Sequence, residues 1–394
     1  MLLAFFTIVK IHAIQQVIQQ GMKISFVLII FLFLLSRAFR SLWNAGLLMG
    51  VVFLISSVKG ILVGNITEKV FLDGILNSFV LFTTYSFVKY ISKQGLLKRV
   101  LDDFLYIGIF SCIISVFSML AKGRASSVTG TATEYFFGNK FSSTYILMFL
   151  IGLLYIKFYD ERKKKLEHGT AILFCILIEM FMSYWTRCST TLIGGAVLLL
   201  TIMFSGKRTE WIRKFISNPI AAVIYLTLPG ALALNMVAIM RIPQINQFVT
   251  GVLGKSSGLT GRTYIYSRLV EIFNGSPIWG YGYNSDMVNR LTGVGNAQNG
   301  LFQMLIEFGI VGVIVVCILI YKAFSTAKNI QFMWGLKVFV FTMCVCSVVE
   351  ISFNYLFYMA IFVIGYSSYF DTVRSKSFAN TIKRNRILSM KRAR

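Results

Sequence analysis

The chain has 394 residues, of which 56% are hydrophobic and 14% charged, and its mean hydropathy is +0.73. A soluble chain of this length covers its surface with polar side chains; this composition supplies too few, so the surrounding solvent is largely lipid. The net charge of +24 does not point to nucleic acid, because the basic residues fall in short clusters between apolar runs, as the positive-inside rule expects of cytoplasmic loops.

Met1 to Val9 is apolar, but Lys10, His12, Gln15, Gln16, Gln19 and Gln20 follow. The first twenty residues are therefore either a span with a polar end or an interfacial helix. No small-residue cleavage site follows them and further spans do, so they do not read as a cleaved signal. Lys23 to Arg37 brackets a short span, and further spans are predicted at 42–58, 75–92, 104–120, 141–158, 170–186, 189–205, 219–240, 300–321, 333–349 and 355–370. The expected fold is an all-α polytopic membrane protein with about 11–12 transmembrane helices, one integral membrane domain over 1–394. Cys112, Cys175, Cys188, Cys317, Cys344 and Cys346 lie in or at the end of apolar runs. They show neither zinc-site spacing nor a disulfide framework and read as small packing residues.

The tail 371–394 carries Arg374, Lys376, Lys383, Arg384, Arg386, Lys391, Arg392 and Arg394 and is predicted to be cytoplasmic,. Alternating sides upstream puts Lys322 to Lys328, Lys207 to Lys214, Arg162 to Lys165 and Lys89 to Arg99 on that same side. Between Arg241 and Asn299 the apolar periodicity lapses over a stretch too long for a mere connection, and such loops are usually functional,. It is predicted to be external, with a helix near Tyr264 to Phe273. A smaller polar loop, Lys122 to Lys140, shares that face.

The long loop departs from the charge rule. It holds Arg241, Lys255, Arg262, Arg268 and Arg290 against Glu271 and Asp286, and outer positive charge is disfavoured unless it has a role or the loop is long. Arginine suits a phosphate or pyrophosphate, because its planar fork donates paired hydrogen bonds and stays charged. Arg187, in Tyr184-Trp185-Thr186-Arg187-Cys188-Ser189, lies at the outer junction of two spans, where a charge is costly without a partner,. The competing reading is that these arginines snorkel to the interface. Asn299, Gln303 and Glu307 share one helix face at i, i+4, i+8, a stripe that should face a protein cavity and not lipid. Glu307 is then either a general base or the partner of an arginine. Gly280 and Gly282 allow a tight turn with exposed backbone groups, and Trp279 and Tyr281 beside them either stack on a sugar ring or anchor at the interface.

Four pieces of the second half form a series: Gly258-Leu259-Thr260-Gly261-Arg262, Ser276-Pro277-Ile278-Trp279-Gly280-Tyr281-Gly282, Asn296-Ala297-Gln298-Asn299-Gly300-Leu301 and Glu307-Phe308-Gly309-Ile310-Val311-Gly312. In order and spacing they resemble the O-antigen ligase/polymerase family. Thr186-Arg187 is similar to the family's Ser-Arg element, and Gly138-Asn139-Lys140-Phe141 to its Gly-x-x-Asn-like element. The resemblance implies a glycosyltransferase at the outer face of the bacterial plasma membrane, with polyprenyl-pyrophosphate-linked oligosaccharide as donor. Polymerases pass the sugar to another lipid-linked repeat unit, building capsular, exo- or O-antigen polysaccharide; ligases pass it to a lipid core. Arg187 and Arg262 would hold the pyrophosphate and Asn299 would lie beside the reacting sugar, with Glu307 as the fourth catalytic candidate. Arg241, Arg268, Arg290, Trp279, Tyr281, Gln298, Gln303 and Asn139 are the candidate substrate-binding residues. A chain-length regulator enters as a candidate partner beside membrane lipid, and no cofactor is expected.

One departure bears on the reaction. Ligases typically carry a histidine in the turn occupied here by Asn296-Ala297-Gln298-Asn299, and the chain's two histidines, His12 and His168, lie elsewhere. This favours a polymerase and leaves the base unassigned. Without an Asp-x-Asp motif, transfer is expected to be metal-independent. The alternative of another class, a lipid-linked oligosaccharide flippase, would line several spans with charge, whereas here charge gathers in one loop.

Overall fold

The computed structural model describes residues 16–37, 45–122, 135–160, 165–203, 210–252, 262–328 and 330–368. The stretch 1–15, most of the smaller polar loop, Arg162 to Lys164, Lys207, Arg208, Gly258 to Gly261 and the basic tail 371–394 lie outside the described residues.

Among the described residues sixteen α-helices follow one another: α1 (Gln16–Arg37), α2 (Ala45–Leu62), α3 (Glu68–Lys93), α4 (Leu97–Lys122), α5 (Lys140–Phe158), α6 (Gly169–Trp185), α7 (Ser189–Met203), α8 (Glu210–Ser217), α9 (Pro219–Leu234), α10 (Met236–Met240), α11 (Pro243–Gln247), α12 (Arg262–Asn274), α13 (Met287–Thr292), α14 (Gly300–Thr326), α15 (Trp334–Cys346) and α16 (Tyr355–Gly365). The strands among the described residues are the two-residue pair Tyr159–Asp160 and Lys165–Leu166. This is an all-α polytopic membrane protein.

Each predicted run from Lys23 onward falls on a helix, but lengths vary more than the runs suggest. Helices α3, α4, α5 and α14 are long and apolar enough to cross a membrane; α8 with α9, bent by 77°, raises the number to five. Six further helices are apolar: α1 and α2, of 22 and 18 residues, and α6, α7, α15 and α16, of 17, 15, 13 and 11 residues, the last four short of the roughly 20 residues that cross a bilayer unaided. Where 11–12 spans are expected, the described residues thus hold eleven apolar helices, counting α8 with α9 as one, of which four or five are long and apolar enough to cross a membrane. The largest difference is at 347–349, predicted to finish a span, which with 350–354 forms one non-helical segment between α15 and α16. Asn354 caps α16 there, its side chain accepting from Leu356 and Phe357 N–H, and the preceding residues leave the helix.

Burial follows each helix's composition. Leu356 to Ile364 of α16 are all buried, as expected of a helix apolar all round. On α4, Tyr106, Phe110 and Phe117 are 58%, 67% and 68% exposed, the aromatic face of a helix against lipid. A set of polar contacts joins helix ends at one end of the bundle: Lys157 pairs with Asp102 at 3.4 Å, Tyr159 bonds Gln331 at 2.5 Å, and Lys337 reaches Ser217. The α3–α4 turn, the end of α5, the end of α8 and the α14–α15 turn therefore share a side. The long loop lies at the other end with its own small core, in which Ile265, Tyr266, Leu269 and Ile272 of α12 pack with Tyr281, Val288, Ala297 and Phe302.

Candidate functional site

The site is organised by a break in α14. Gly309 has φ 65° and ψ −170° inside that helix, a conformation open to glycine alone at little cost, and the break frees backbone groups that need partners. The turn 276–282 supplies them. Ile310 N–H donates to Pro277 O at 2.8 Å, Tyr281 N–H to Ile306 O at 2.7 Å and Gly282 N–H to Glu307 O at 3.1 Å. From α2, Ser56 donates to Trp279 O and Glu307 O, and Lys59 donates to Ser276 Oγ and Gly280 O. A Cβ on Gly280 or Gly309 would overlap the facing backbone. The expectation that Gly280 and Gly282 expose their backbone is corrected here: those groups are paired, and the glycines serve close backbone approach.

The segment 347–354 lies against this turn-and-break unit. Val348 O accepts from Asn299 Nδ2 at 3.1 Å and from Tyr266 OH at 2.9 Å, and Ser347 O accepts from Gly300 N–H at 2.8 Å. Val349 O accepts from Arg262 Nε at 2.8 Å. Glu350 meets Arg262 Nη2 at 3.6 Å, the two side chains being 10% and 15% exposed. Burial raises the Glu350 carboxyl above the usual carboxylate range, against the pull of the Ile351 N–H, Arg262 and Lys140,.

Lys140 joins the other predicted arginine to this centre. Asn139 caps α5 by accepting from Ser142 N–H at 2.9 Å, which fixes the start of the helix, and Lys140 Nζ donates to Arg187 O at 3.3 Å. Arg187 is exposed and has φ 53°, the left-handed position after a helix end that ordinarily goes to glycine. An arginine held there costs about 1 kcal/mol or more. Of the four described non-glycine residues with left-handed backbone, three, Arg187, Asn284 and Gln298, belong to this end.

Beside the arginine side lies a cavity of about 310 Å³, walled by Gln303 and Glu307 of α14, Tyr283, Asn296, Asn354 and Tyr355. The polar stripe of α14 does face a cavity for these two residues. Gln303 Nε2 donates to Glu307 Oε1 at 2.8 Å and Asn284 N–H donates to the same oxygen at 3.0 Å. The Glu307 partners thus differ from the arginine that sequence reading allowed. Asn299 is fully buried; its amide donates to Pro229 O and Val348 O and accepts from Phe302 N–H, so its polar atoms are engaged with backbone.

The remaining predicted residues divide. Gln298 donates from its amide at 2.8 Å to Asn296, which lines the cavity. Trp279 packs half-buried against the main core. Tyr281, read as a sugar or interface ring, is 7% exposed and donates to Ile272 O at 2.7 Å; both readings give way to a core role. Arg268 and Arg290 point outward, each paired within its own helix region, with Glu271 at 2.8 Å and Asp286 at 2.9 Å. Arg241 ends α10 on the exposed surface. The structure therefore brings together Arg262, Asn299, Gln298, Gln303, Glu307, Asn139 and Arg187, and sets Arg241, Arg268 and Arg290 apart. Sequence reasoning passed over Lys140, although it stands in a quoted motif, and left Glu350 unplaced. Tyr283 and Tyr355 carried no signal beyond composition.

Fold and site together define a multi-pass membrane protein with a cationic centre and a carboxylate-bearing cavity at one end of its bundle. Residues 171–317 match the family model described as O-antigen ligase, which agrees with the resemblance read from the motifs over α6 to α14. No curated protein matches the chain.

Proposed function

We propose that the protein polymerises polyprenyl-pyrophosphate-linked oligosaccharide repeat units at the outer face of the bacterial plasma membrane. The observation that carries this reading is the juxtaposition around 347–354: Arg262, Lys140 and Arg187 on one side of Glu350, and the Glu307 cavity beside Ile351 and Asn354. The donor's pyrophosphate binds on the arginine side. The acceptor hydroxyl oxygen attacks the anomeric carbon, the bond from that carbon to the pyrophosphate oxygen breaks, and the electron pair leaves with polyprenyl pyrophosphate. The hydroxyl proton passes to Glu307. The cations neutralise charge that grows on the leaving group, and the cavity orients the acceptor.

Two lipid tails must be accommodated if one copy of the substrate is donor and another acceptor. An apolar groove of about 950 Å³ between α1 and α3, lined by Ile24, Leu28, Leu72 and Phe79, suits one of them. It shares α3 with the Glu307 cavity, Asp73 facing the groove and Gly74 and Asn77 the cavity.

Purified protein with a single lipid-linked repeat unit as its sole sugar substrate is expected to yield a ladder of longer lipid-linked products, with chelator present. A second reading, transfer to a lipid-core acceptor, is favoured by the description of the matching family. Prompt transfer to such an acceptor with no ladder would replace the polymerase by the ligase. The sidedness is checked by impermeant cysteine labelling on a cysteine-free background: Ser267→Cys is expected to label in intact cells and Lys328→Cys only after permeabilisation.

A further inference from the structure

At the end of the bundle opposite the long loop lies a second polar cavity, of about 540 Å³, between α8, the start of α9, the end of α14 and the start of α15. It is about 30 Å from Glu307, since Lys328 follows that residue by some twenty positions along α14 and its turn at ~1.5 Å each,. Four cations line it, Arg213, Lys214, Lys328 and Lys337, against one carboxylate, Glu210. Glu210 is already shared between Arg213 at 3.3 Å and Lys214 at 3.6 Å. No described carboxylate pairs with Lys337 or Lys328.

Two features separate this cavity from an ordinary basic membrane rim. Lys337 is 1% exposed, where a solvated loop lysine would extend into water. Its ammonium is held by Ala327 O, Ile330 O and Ser217 Oγ, all neutral acceptors, so among the described residues it is buried without a paired counter-charge. Trp334, 2% exposed and also in the cavity wall, has a buried indole N–H with no partner. An indole nitrogen is a donor only, and buried donors are ordinarily satisfied. A ligand that answers both features carries negative charge and several acceptor oxygens.

We propose that this cavity is a phosphate-binding site, distinct from the sugar-transfer site, with Lys337, Arg213 and Lys328 supplying charge and Trp334 a directed hydrogen bond. The phosphate belongs either to the headgroup of an anionic lipid or to a soluble phosphate compound; the two sources share this chemistry. The volume exceeds that of a bare phosphate and falls in the range of small-ligand pockets.

The test uses the full-length protein in detergent, titrated separately with short-chain phosphatidylglycerol, with short-chain phosphatidylcholine and with inorganic phosphate. Binding is read by thermal stabilisation and by native mass spectrometry. Phosphatidylglycerol is expected to bind, and phosphatidylcholine not, if the source is lipid; stabilisation by inorganic phosphate identifies a soluble source. The surface double variant R213Q/K328Q is expected to weaken binding about tenfold, and W334F by a smaller factor, the sizes that follow from lost charged hydrogen bonds. R187Q, at the far end, is expected to leave it unchanged, which separates this site from any pyrophosphate bound by the transfer site. Absence of anion selectivity, or binding that R213Q/K328Q leaves intact, would overturn the proposal whether or not the protein makes polymer.

Discussion

Arg262 and Arg268 stand on the same helix, yet they belong to different regions of the loop. The inward region around Arg262 is closed: its guanidinium meets Glu350 and Val349 O, with the pair mostly buried. The outward region carries Arg268 and Arg290, each about half exposed beside a carboxylate three or four residues away. Exposed pairs of this kind contribute roughly 0–1 kcal/mol, whereas removing one partner of a buried pair costs roughly 3–5 kcal/mol. The excess of arginine in the loop is therefore not one feature. A charge kept out of water shapes the site, and a charge on the rim has solvent as its alternative partner.

The largest effect should come from the backbone on which the inward region rests. Gly280→Val puts a branched side chain at φ 70° against the Glu307 carbonyl. It is expected to abolish the folded protein, seen as loss of a monodisperse peak in detergent; a normal peak would mean that the turn does not dock on α14 as described. Next, Arg262→Lys keeps the charge but loses the fork, and turnover of lipid-linked substrate is expected to fall roughly 10²–10³-fold at equal protein level. Unchanged turnover would reduce the inward region to a structural pair.

Glu307→Gln separates chemistry from packing within the inward region. The amide retains an acceptor for Asn284 N–H and Gln303, so thermal stability is expected to hold while chain growth drops roughly 10²–10⁴-fold. Lost folding with this substitution would assign Glu307 to structure. Glu350 offers a pH test. Its carboxyl is raised, so as pH falls it protonates earlier than an ordinary glutamate and the charge opposite Arg262 disappears. Activity is expected to show an acid limb above the usual carboxylate range, and Glu350→Gln to flatten that limb in a pH–rate profile. The smallest effects belong to the outward region: Arg268→Ala and Arg290→Ala are each expected to shift stability by about 0.5 kcal/mol or less and turnover hardly at all. A tenfold loss from either would erase the distinction between the two regions.

The sequence by itself determined the helical membrane class, because a run of apolar residues long enough for a bilayer is a local property that no distant contact alters. It also marked the Ser276 to Gly282 turn, whose residue types can be read in place, but it ran a single span over 300–321 through Gly309. It could not say that the turn exists to satisfy the break: those hydrogen bonds join residues about thirty positions apart,. Nor could it choose among the arginines. The partner of Arg262 is Glu350, in the short stretch between two predicted spans, and the amide of Asn299, expected beside the reacting sugar, donates to Pro229 O and Val348 O. Which charges are buried, and against what, is decided by packing between distant parts of the chain, and for that reason only the tertiary structure could decide it.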